Sequence, residues 1–235
     1  MIHFQYHPTV LENHPGIVGG VILAKEMSNA ATPPELLALY QDEQQKVLTE
    51  IGDTPLSKLE SLAAWRSTFR GFGVNPTKYR SAVEALLRRL TKKGDIPSIN
   101  TLVDIANLIS IRYRLPVAFF DTRQLQGAIA VKISDGSERF TPLFEKEAEA
   151  PEAGEVVFAD EKEMVIARRW CWRQSDESAT REDTTTALIT IEAQHEGGRD
   201  AVEAAMKDVL ELVGKYAGGE FTNDLLSVEK PAFSA

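Results

Sequence analysis

The sequence has little cysteine and histidine, and this scarcity limits the kinds of site that it can build. A single cysteine, Cys171, excludes an intrachain disulfide and a metal cluster of the CxxC type. Three of the four histidines, His3, His7 and His14, crowd the N-terminus, whereas His195 lies in the polar turn AQHEGG. Such histidines are more commonly surface residues than zinc ligands. We therefore expect no metal site, and we interpret Cys171 as a buried structural thiol.

Common nucleotide-binding and hydrolase motifs are missing as well. The sequence contains no GxxxxGK[ST] phosphate loop, no GxGxxG after a strand, no GxSxG turn and no HExxH. ATP use is not expected, and no cofactor is implied. If the protein is an enzyme, we expect it to work by orienting water and substrate, without a protein nucleophile or a metal.

Long hydrophobic runs are absent too. No apolar run approaches the roughly 20 residues that span a bilayer, and the N-terminus MIHFQYHPTV lacks the pattern of a secretory signal. We expect a cytoplasmic protein with no membrane partner. A length of 235 residues, of which 43% are hydrophobic, suits one large domain or two small ones.

Positive charge is scarce overall but concentrated in one stretch. The formal net charge is -9, which argues against a protein that coats nucleic acid through bulk charge. Between Lys58 and Lys93, however, nine basic residues face only two acidic ones, Glu60 and Glu84. This separation indicates a surface that meets an anion. A solvated helix face is the alternative interpretation.

The order of hydrophobic patterns predicts an α+β fold, with antiparallel or mixed sheets packed against helices. The first thirty residues indicate one or two strands, in which Gly19 and Gly20 mark a bulge or a close backbone approach. Helical periodicity follows, and strand patterns predominate after Pro116. Helices are predicted in 33–51, 55–70, 76–93, 98–115 and 198–216. Strands are predicted in 117–120, 127–133, 139–144, 155–160, 163–172 and 185–193, and a short tail closes the chain.

One basic helix is predicted from residue 76, with Asn75 as its N-cap and Pro76 in its first turn. Its apolar residues recur with a period of 3.6 and must face a core. Arg80 projects from the shoulder of this apolar stripe, so we expect it to pair with a buried acid or to point into a pocket. The opposite face gathers Lys78, Arg88, Arg89 and Lys92. On the next helix, Asp104 and Asn107 are three residues apart and hence adjacent.

Residues 75–193 resemble the editing (B-three/B-four) domain of the bacterial phenylalanyl-tRNA synthetase beta chain. The family pattern N-x-VVD-[IV]-TN-Y, then P-x-x-x-FD, then [DE]-x-[IL]-x-GGI appears here in TLVDIANLISIRYRLPVAFFDTRQLQGAIAVKI. Downstream, VFADEKEMVIA and SDESATREDTTTALITIEA resemble two further family motifs. The matching residues include Asn100, Val103, Asp104, Asn107, Pro116, Phe120, Asp121, Leu125, Gly127 and Ile129.

The resemblance implies a tRNA-binding protein that hydrolyses mischarged aminoacyl-tRNA in trans, as a free-standing version of the editing domain. It implies a domain over residues 71–235, with residues 1–70 as a strand and helical region packed on it, unless the whole forms one compact unit. The tRNA acceptor end would be the partner. The implied pocket residues are Asn107, Asp104 and either Asp176 or Glu177. The implied RNA contacts are Lys78, Arg80, Arg88, Arg89 and Lys92, with Trp172 or Trp170 stacking on bases.

Two departures from the family pattern leave alternatives open. The threonine before the family's asparagine is Ala106, and its glycine-rich acidic motif GGE is replaced by RRWCWRQSDE, where Asp176 or Glu177 would supply the carboxylate. A second hypothesis is therefore a tRNA, amino-acid or small-molecule binding module without turnover. A third is an interaction protein whose basic helix docks an acidic partner. Asp104 also has a structural alternative, as a partner of Arg80 or Arg112, and Asn107 has one in helix packing.

Overall fold

Two stacked sheets with helices form the architecture in the computed structural model, which describes residues 2–235. The strands within this range are β1 His3–Tyr6, β2 Val18–Lys25, β3 Val117–Asp121, β4 Ile129–Ile133, β5 Val156–Asp160, β6 Val165–Arg168, β7 Arg173–Gln174, β8 Ala187–Ala193, β9 Glu220–Leu226 and β10 Ala232–Ser234. The helices are α1 Pro8–Asn13, α2 Pro34–Ile51, α3 Glu60–Gly71, α4 Ala82–Lys93, α5 Thr101–Tyr113 and α6 Gly198–Tyr216. The predicted α+β class is confirmed.

The two sheets differ in strand direction. One has six strands in the order β10-β1-β4-β5-β6-β7, with β1 parallel to β4 and the other pairs antiparallel. The other sheet is antiparallel, with the order β3-β8-β2-β9. Strand β1 thus belongs to the six-stranded sheet and β2 to the four-stranded sheet. The division of the chain at residue 70 stays a prediction.

The four-stranded sheet separates two hydrophobic cores because successive side chains of a strand point to opposite faces. On β2, Ile22 and Ala24 pack with the helices, whereas Val21 and Leu23 face the six-stranded sheet. On β8, Ile189 faces the helices in the same way. The even-numbered residues of β8 therefore point into the space between the sheets, where the candidate site lies.

Gly19 and Gly20 mark close backbone approaches, as one alternative of the sequence analysis predicts. A Cβ atom on Gly19 would lie 2.1 Å from the Tyr6 hydroxyl, and one on Gly20 would lie 2.6 Å from the Met206 sulfur. Both distances are far below van der Waals contact. The first approach lets Tyr6 of β1 cross β2 and reach β8.

The predicted start of the basic helix is wrong. α4 begins at Ala82, and its N-cap is Ser81, whose hydroxyl accepts a hydrogen bond from the Glu84 amide. Asn75 instead caps an isolated turn, in which its carboxamide oxygen accepts from Thr77 N at 2.9 Å. The chain leaves this turn because the Tyr79 ring packs against Trp172. Lys78 and Arg80 consequently lie before the helix and not on it.

The strands also differ from the predictions in three respects. The stretch 139–144 forms only isolated bridges, and β6 ends at Arg168 because Arg169 and Trp170 adopt the left-handed region, with φ of 44° and 62°. The predicted tail forms β9 on the edge of β2 and β10 beside β1. Both are pairings between distant segments, which local patterns do not specify.

None of the helices within residues 2–235 combines the length and the apolar character that a bilayer crossing requires.

Candidate functional site

An apolar pocket opens between the two sheets, beside the turn that follows β6. Its cavity volume is about 90 Å³. Strand β3 contributes one wall, β8 contributes the floor, and the segment 167–174 contributes the opposite wall. The lining residues include Ala82, Pro116, Ala118, Phe120, Phe158, Trp170, Cys171, Trp172, Arg173, Gln174, Thr190 and Glu192. The pocket is thus mainly apolar, with a few polar groups that converge on it, as ligand sites commonly are.

Glu192 is the acidic residue in this pocket, and its carboxyl group is almost completely buried. Its Oε1 accepts hydrogen bonds from the Tyr6 hydroxyl at 2.7 Å and from Trp170 Nε1 at 2.9 Å. Within residues 2–235, no basic side chain forms an ion pair with it, and no group donates a hydrogen bond to its Oε2. Burial raises the pKa of Glu192 to about 7, although the bonds from Trp170 and Tyr6 oppose the rise. The carboxyl group therefore titrates near neutral pH.

The turn after β6 brings the pocket wall to the start of α4. Trp170 is fully buried, where its ring meets the edges of Trp65 and His14. Cys171 O accepts a hydrogen bond from Ala82 N at 2.7 Å. Burial raises the pKa of the Cys171 thiol, so the group stays protonated. The residue as a whole is half-buried and lines the pocket, so the prediction of a buried structural thiol is met only in part.

Next to the pocket, aromatic rings and cations form a group that we name the stacking cluster: Lys78, Tyr79, Arg169, Trp172 and Arg173. The rings of Tyr79 and Trp172 meet edge to face, with centroids 5.0 Å apart. The Arg169 guanidinium lies 3.8 Å from the Tyr79 centroid and 4.6 Å from that of Trp172. Arg173 lies 4.7 Å from the Trp172 centroid, and Lys78 lies 4.8 Å from that of Tyr79. Arg169 is buried and paired with Glu152 and Glu155, so the exposed cations of the cluster are Lys78 and Arg173. Aromatic rings beside such cations suit planar, anionic ligands.

A second, basic pocket lies on the other side of Ser81. It has a volume of about 410 Å³ and is bounded by the loop 51–57 and one face of α4. Its charged lining residues are Asp53, Arg66, Arg80, Glu84, Arg88 and Lys92. The Cα atoms of Arg80 in this pocket and of Ala82 in the apolar pocket are at most about 8 Å apart, since consecutive Cα atoms are about 3.8 Å apart. The two pockets are thus neighbours along the chain, on either side of Ser81.

The cations of the basic pocket are only partly neutralised. Buried Glu84 accepts from Arg66 Nη1 at 2.8 Å, and Arg80 Nε lies 3.7 Å from the same carboxylate oxygen. Arg80 therefore fulfils both alternatives of the sequence analysis, because it pairs with a buried acid and lines a pocket. Arg88 and Lys92 have no acidic partner within residues 2–235. The geometry leaves these two cations available to an anion.

The structure brings together five of the six residues that the sequence predicts as RNA contacts. Arg80, Arg88 and Lys92 line the basic pocket, and Lys78 and Trp172 belong to the stacking cluster. Arg89 lies apart, on an exposed face of α4, where it contacts Asp95 at 3.3 Å. Trp170, the alternative stacking residue, is a core residue.

The first two predicted catalytic residues lie outside both pockets. Asp104 is fully buried at the start of α5, where it accepts from the hydroxyls of Thr32 and Ser98 and from Ile99 N at 2.9 Å. Asn107 is half-buried beside Tyr40 of α2. The burial of Tyr40 and the charge of Asp104 raise the pKa of Tyr40, and Asn107 opposes the rise.

The expected structural partners of Asp104 are corrected. Arg80 pairs with Glu84, and Arg112 pairs with Glu43 at 2.6 Å and with Asp208 at 2.8 Å. Asp104 instead accepts hydrogen bonds from uncharged hydroxyl and amide groups, and these bonds fix the segment before α5. The physical reason is its position: its side chain turns back over the first helical turn, where amide and hydroxyl donors are available.

A third depression, which we name the Phe144 groove, lies near Asp176 and Glu177, although neither residue lines it. Its volume is about 690 Å³, and its lining includes Ile99, Asn100, Val103, Leu143, Phe144 and residues 179–183. Asp176 accepts from Phe144 N at 3.0 Å and from Arg181 at 2.8 Å. Glu177 accepts from the Thr141 hydroxyl at 2.7 Å, and its Oε2 is buried without a hydrogen-bond partner. The predicted catalytic residues thus do not line the pockets beside α4.

Four residues of the site were not predicted from the sequence: Glu192, Tyr6, Arg169 and Arg66. Glu192 had a usable signal, because it follows Leu188 and Thr190 on the same face of an otherwise apolar strand. A charged residue at such an inward position is expensive unless it is paired or functional. The others had no local signal, since their roles depend on contacts with distant segments.

Comparison with known proteins gives the family of the chain. A family model described as the B3/4 domain matches residues 64–218. The chain belongs to the B3/4 domain family. The stretch matched to the B3/4 domain includes α4, the turn after β6 and β8, and hence the whole lining of the apolar pocket and half of that of the basic pocket.

Relatives of this B3/4 domain include phenylalanine--tRNA ligase beta subunits. The subunit of Shewanella oneidensis is 26% identical over 175 residues, which cover 73% of this chain and 21% of the relative. That of Synechococcus is 30% identical over 138 residues, covering 51% of this chain and 16% of the relative. The chain thus spans about a fifth of the Shewanella relative. An N-terminal fragment of the phenylalanyl-tRNA synthetase beta-subunit from Pyrococcus horikoshii aligns with a TM-score of 0.48 and 11% identity, covering 95% of this chain and 54% of that fragment.

Proposed function

We propose that this B3/4 domain binds the acceptor end of tRNA and hydrolyses mischarged aminoacyl-tRNA, acting in trans. The observation that carries the proposal is the adjacency of three features around Ser81: the apolar pocket, the stacking cluster and the basic pocket. An aminoacylated 3' end offers a matching set, with an amino acid, unstacked bases and phosphates. The relatives, which are subunits of a tRNA ligase, support tRNA as the nucleic acid.

In this arrangement the basic pocket receives phosphates. Arg88 and Lys92 provide unpaired positive charge, and Arg80 approaches from the loop before the helix. The terminal bases are single-stranded and hence accessible, and they stack on the rings of Tyr79 and Trp172. Lys78 lies beside the Tyr79 ring and adds positive charge there. Arg89 contributes less, because it must first leave Asp95. A cytoplasmic location accompanies this function.

The apolar pocket receives the amino acid that the ester joins to the terminal ribose. In the reaction, a water oxygen bonds to the ester carbonyl carbon, and the bond from that carbon to the ribose oxygen breaks. The ribose oxygen takes a proton, and the amino acid leaves. The Thr190 hydroxyl and the Gln174 carboxamide line the pocket and supply polar groups that orient water. Asp104, Asn107, Asp176 and Glu177 support neighbouring segments, and their direct participation stays a prediction.

The test is deacylation of a panel of mischarged tRNAs by the purified protein, followed as release of labelled amino acid. We expect release from at least one tRNA of the panel and no consumption of ATP. A protein with Trp172→Ala and Arg88→Glu serves as a control for contaminating hydrolases, because it should lose the activity. If the panel yields no release above this control, the enzymatic proposal is wrong.

A binding module without turnover is the second candidate function. The observation in its favour is that the four predicted catalytic residues lie outside the apolar pocket and the basic pocket. It predicts saturable tRNA binding in a filter or mobility assay, together with no deacylation. Tight binding that survives high salt would contradict both candidates, since phosphate contacts weaken steeply as salt rises.

A further inference from the structure

The apolar pocket contains a buried carboxyl group that the protein itself leaves incompletely bonded. Glu192 is 2% exposed, and both donors that reach it, Tyr6 and Trp170, bond to Oε1. Its Oε2 receives no hydrogen bond from any residue in the range 2–235. Because an ionised carboxylate without a countercharge is costly in an apolar site, this oxygen favours a ligand that brings positive charge and N–H donors.

The position of this carboxyl group is held firmly. The Tyr6 hydroxyl crosses β2 over Gly19, where any side chain would collide with it. The indole of Trp170 is packed against Trp65, and so its N–H group has a fixed direction. With Oε1 bound from two sides, the rotation of the carboxyl group is restricted, and the second oxygen keeps its place in the pocket lining. A preformed acceptor of this kind gains affinity by avoiding the cost of ordering.

The remaining lining limits the size and the polarity of the ligand. Ala118, Phe120 and Phe158 give apolar walls, and Arg173 is the basic residue of the lining. The cavity volume of about 90 Å³ is smaller than the roughly 150 Å³ cavity that accepts benzene in an engineered protein core. A small aliphatic side chain fits such a space, whereas an aromatic side chain does not.

We propose that Glu192 binds the α-ammonium group of the amino acid, so that the pocket selects aminoacyl esters with a free amino group and a small side chain. This inference rests on the proposed function for its tRNA part. It makes Glu192 a specificity residue, which distinguishes aminoacyl-tRNA from uncharged tRNA and from N-blocked aminoacyl-tRNA. The ammonium group donates to Oε2, while Tyr6 and Trp170 continue to donate to Oε1.

The first experiment uses small probes and therefore does not depend on RNA binding. Calorimetric titration of the protein with L-alaninamide at pH 8 should show binding, and N-acetyl-L-alaninamide should bind at least about 10-fold more weakly, as expected for loss of a charged hydrogen bond. L-phenylalaninamide should also bind more weakly than L-alaninamide. Equal affinity for the free and the acetylated amide, or no binding of either, would overturn the inference.

A variant separates Glu192 from the rest of the pocket. Glu192→Gln keeps an oxygen that can accept from Tyr6 and Trp170 but removes the charge. We expect it to lose about 10- to 100-fold in affinity for L-alaninamide and to lose the preference for the free amine. Glu196→Gln, at an exposed position outside the pocket, is the matched control and should match the parent protein. An unchanged preference in Glu192→Gln would also overturn the inference.

The second experiment distinguishes failure of this inference from failure of the proposed function. Alanyl-tRNA and N-acetylalanyl-tRNA are compared as ligands of the parent protein and of Glu192→Gln. If the parent protein binds alanyl-tRNA more tightly than N-acetylalanyl-tRNA and Glu192→Gln shows no such preference, both proposals are supported. Tight binding of both tRNAs without preference contradicts the role of Glu192 alone. Amide binding that depends on Glu192, with no tRNA binding, contradicts the tRNA function alone.

Discussion

Asp104 and Glu192 are both buried carboxylates, but their surroundings differ in one decisive respect. Asp104 uses both oxygens, accepting from Thr32, Ser98 and Ile99 N at the start of α5. Glu192 accepts only through Oε1 from residues in the described range 2–235, and it lines a cavity. Both have an exposed fraction close to zero, at 0% and 2%. Burial by itself therefore does not separate a structural acid from one that can receive a ligand.

The number of unsatisfied acceptor positions separates them. A carboxylate whose oxygens are fully bonded stabilises the segments that donate to it, and removing it leaves those donors without partners. A carboxylate with a free oxygen on a cavity wall retains capacity for a ligand. The motif resemblance selects Asp104, whereas the geometry selects Glu192. The following predictions test this comparison, from the largest expected effect to the smallest.

Asp104→Ala should destabilise the protein by about 3 to 5 kcal/mol, because two hydroxyls and one amide lose a charged acceptor. The free energy of unfolding is measured by urea denaturation. Asp42→Ala, at an exposed position of α2, is the matched control and should change stability by less than about 0.5 kcal/mol. If Asp104→Ala is as stable as the parent protein, the structural role of Asp104 is wrong.

Charge reversal of both unpaired cations in the basic pocket, Arg88→Glu with Lys92→Glu, should weaken tRNA binding about 100-fold at moderate salt. The slope of log affinity against log salt should become shallower by about 1.4, since two single-strand phosphate contacts are lost. Binding is measured over a salt series. Lys162→Glu with Lys207→Glu adds the same charge away from both pockets, so an equal loss in this control would refute a specific role for α4.

Glu192→Gln should make the ligand-free protein more stable at pH 8 by about 2 kcal/mol. The pKa of Glu192 is raised to about 7 in the folded protein, above the ordinary value of 4.5. Between these values the folded state binds a proton that the unfolded state has lost, so stability falls as pH rises through about 7. Glu192→Gln has no carboxyl group to titrate at this position, so its stability does not fall in this way as pH rises.

The measurement is the difference in unfolding free energy between Glu192→Gln and the parent protein from pH 5 to pH 8. Other groups titrate in both proteins and cancel in the difference. A difference that stays constant with pH would show that the Glu192 carboxyl group has an ordinary pKa in the folded protein.

Trp172→Ala should reduce tRNA affinity about 10-fold, since stacking contributes about 1 to 3 kcal/mol per base. The salt slope should stay unchanged, because no charge is removed. Phe144→Ala is the control, as Phe144 is 85% exposed in the Phe144 groove, away from the stacking cluster. Equal losses in the two variants would indicate that Trp172 has no particular role in RNA binding.

Much of the fold is predictable from local pattern. Helix α5, predicted over 98–115, begins after Asn100, whose carboxamide oxygen accepts from Val103 N at 3.0 Å. Strand β8 follows from its short apolar run, which contains β-branched residues and lies between polar segments. The predicted start of α4 was wrong, since Tyr79 before the helix contacts Trp172 and Arg169, which are distant in sequence and leave no local signal. Strand β9 was missed because much of it is exposed and its pairing with β2 is distant in sequence.

The sequence predicted the basic residues of the candidate site better than its acidic residues. The concentration of positive charge near Arg88 and Lys92 was visible in composition, and the basic pocket contains both. The motif positions Asp104 and Asn107 were identified correctly as residues of one helix. The sequence did not show that Asp104 and Asn107 lie away from the two pockets. Periodicity tells which side of a helix a residue occupies, but not which other element packs against that side.

The sequence alone determined the α+β class, the separation of charge and the absence of common nucleophile and metal motifs, since these depend on residue type and short-range periodicity. The tertiary structure decided which acid is free and which cations share a pocket. Those properties depend on donors from distant segments, such as Tyr6 reaching Glu192 across Gly19. No local pattern contains that information, because hydrogen-bond satisfaction and cavity shape arise only when the two sheets pack together.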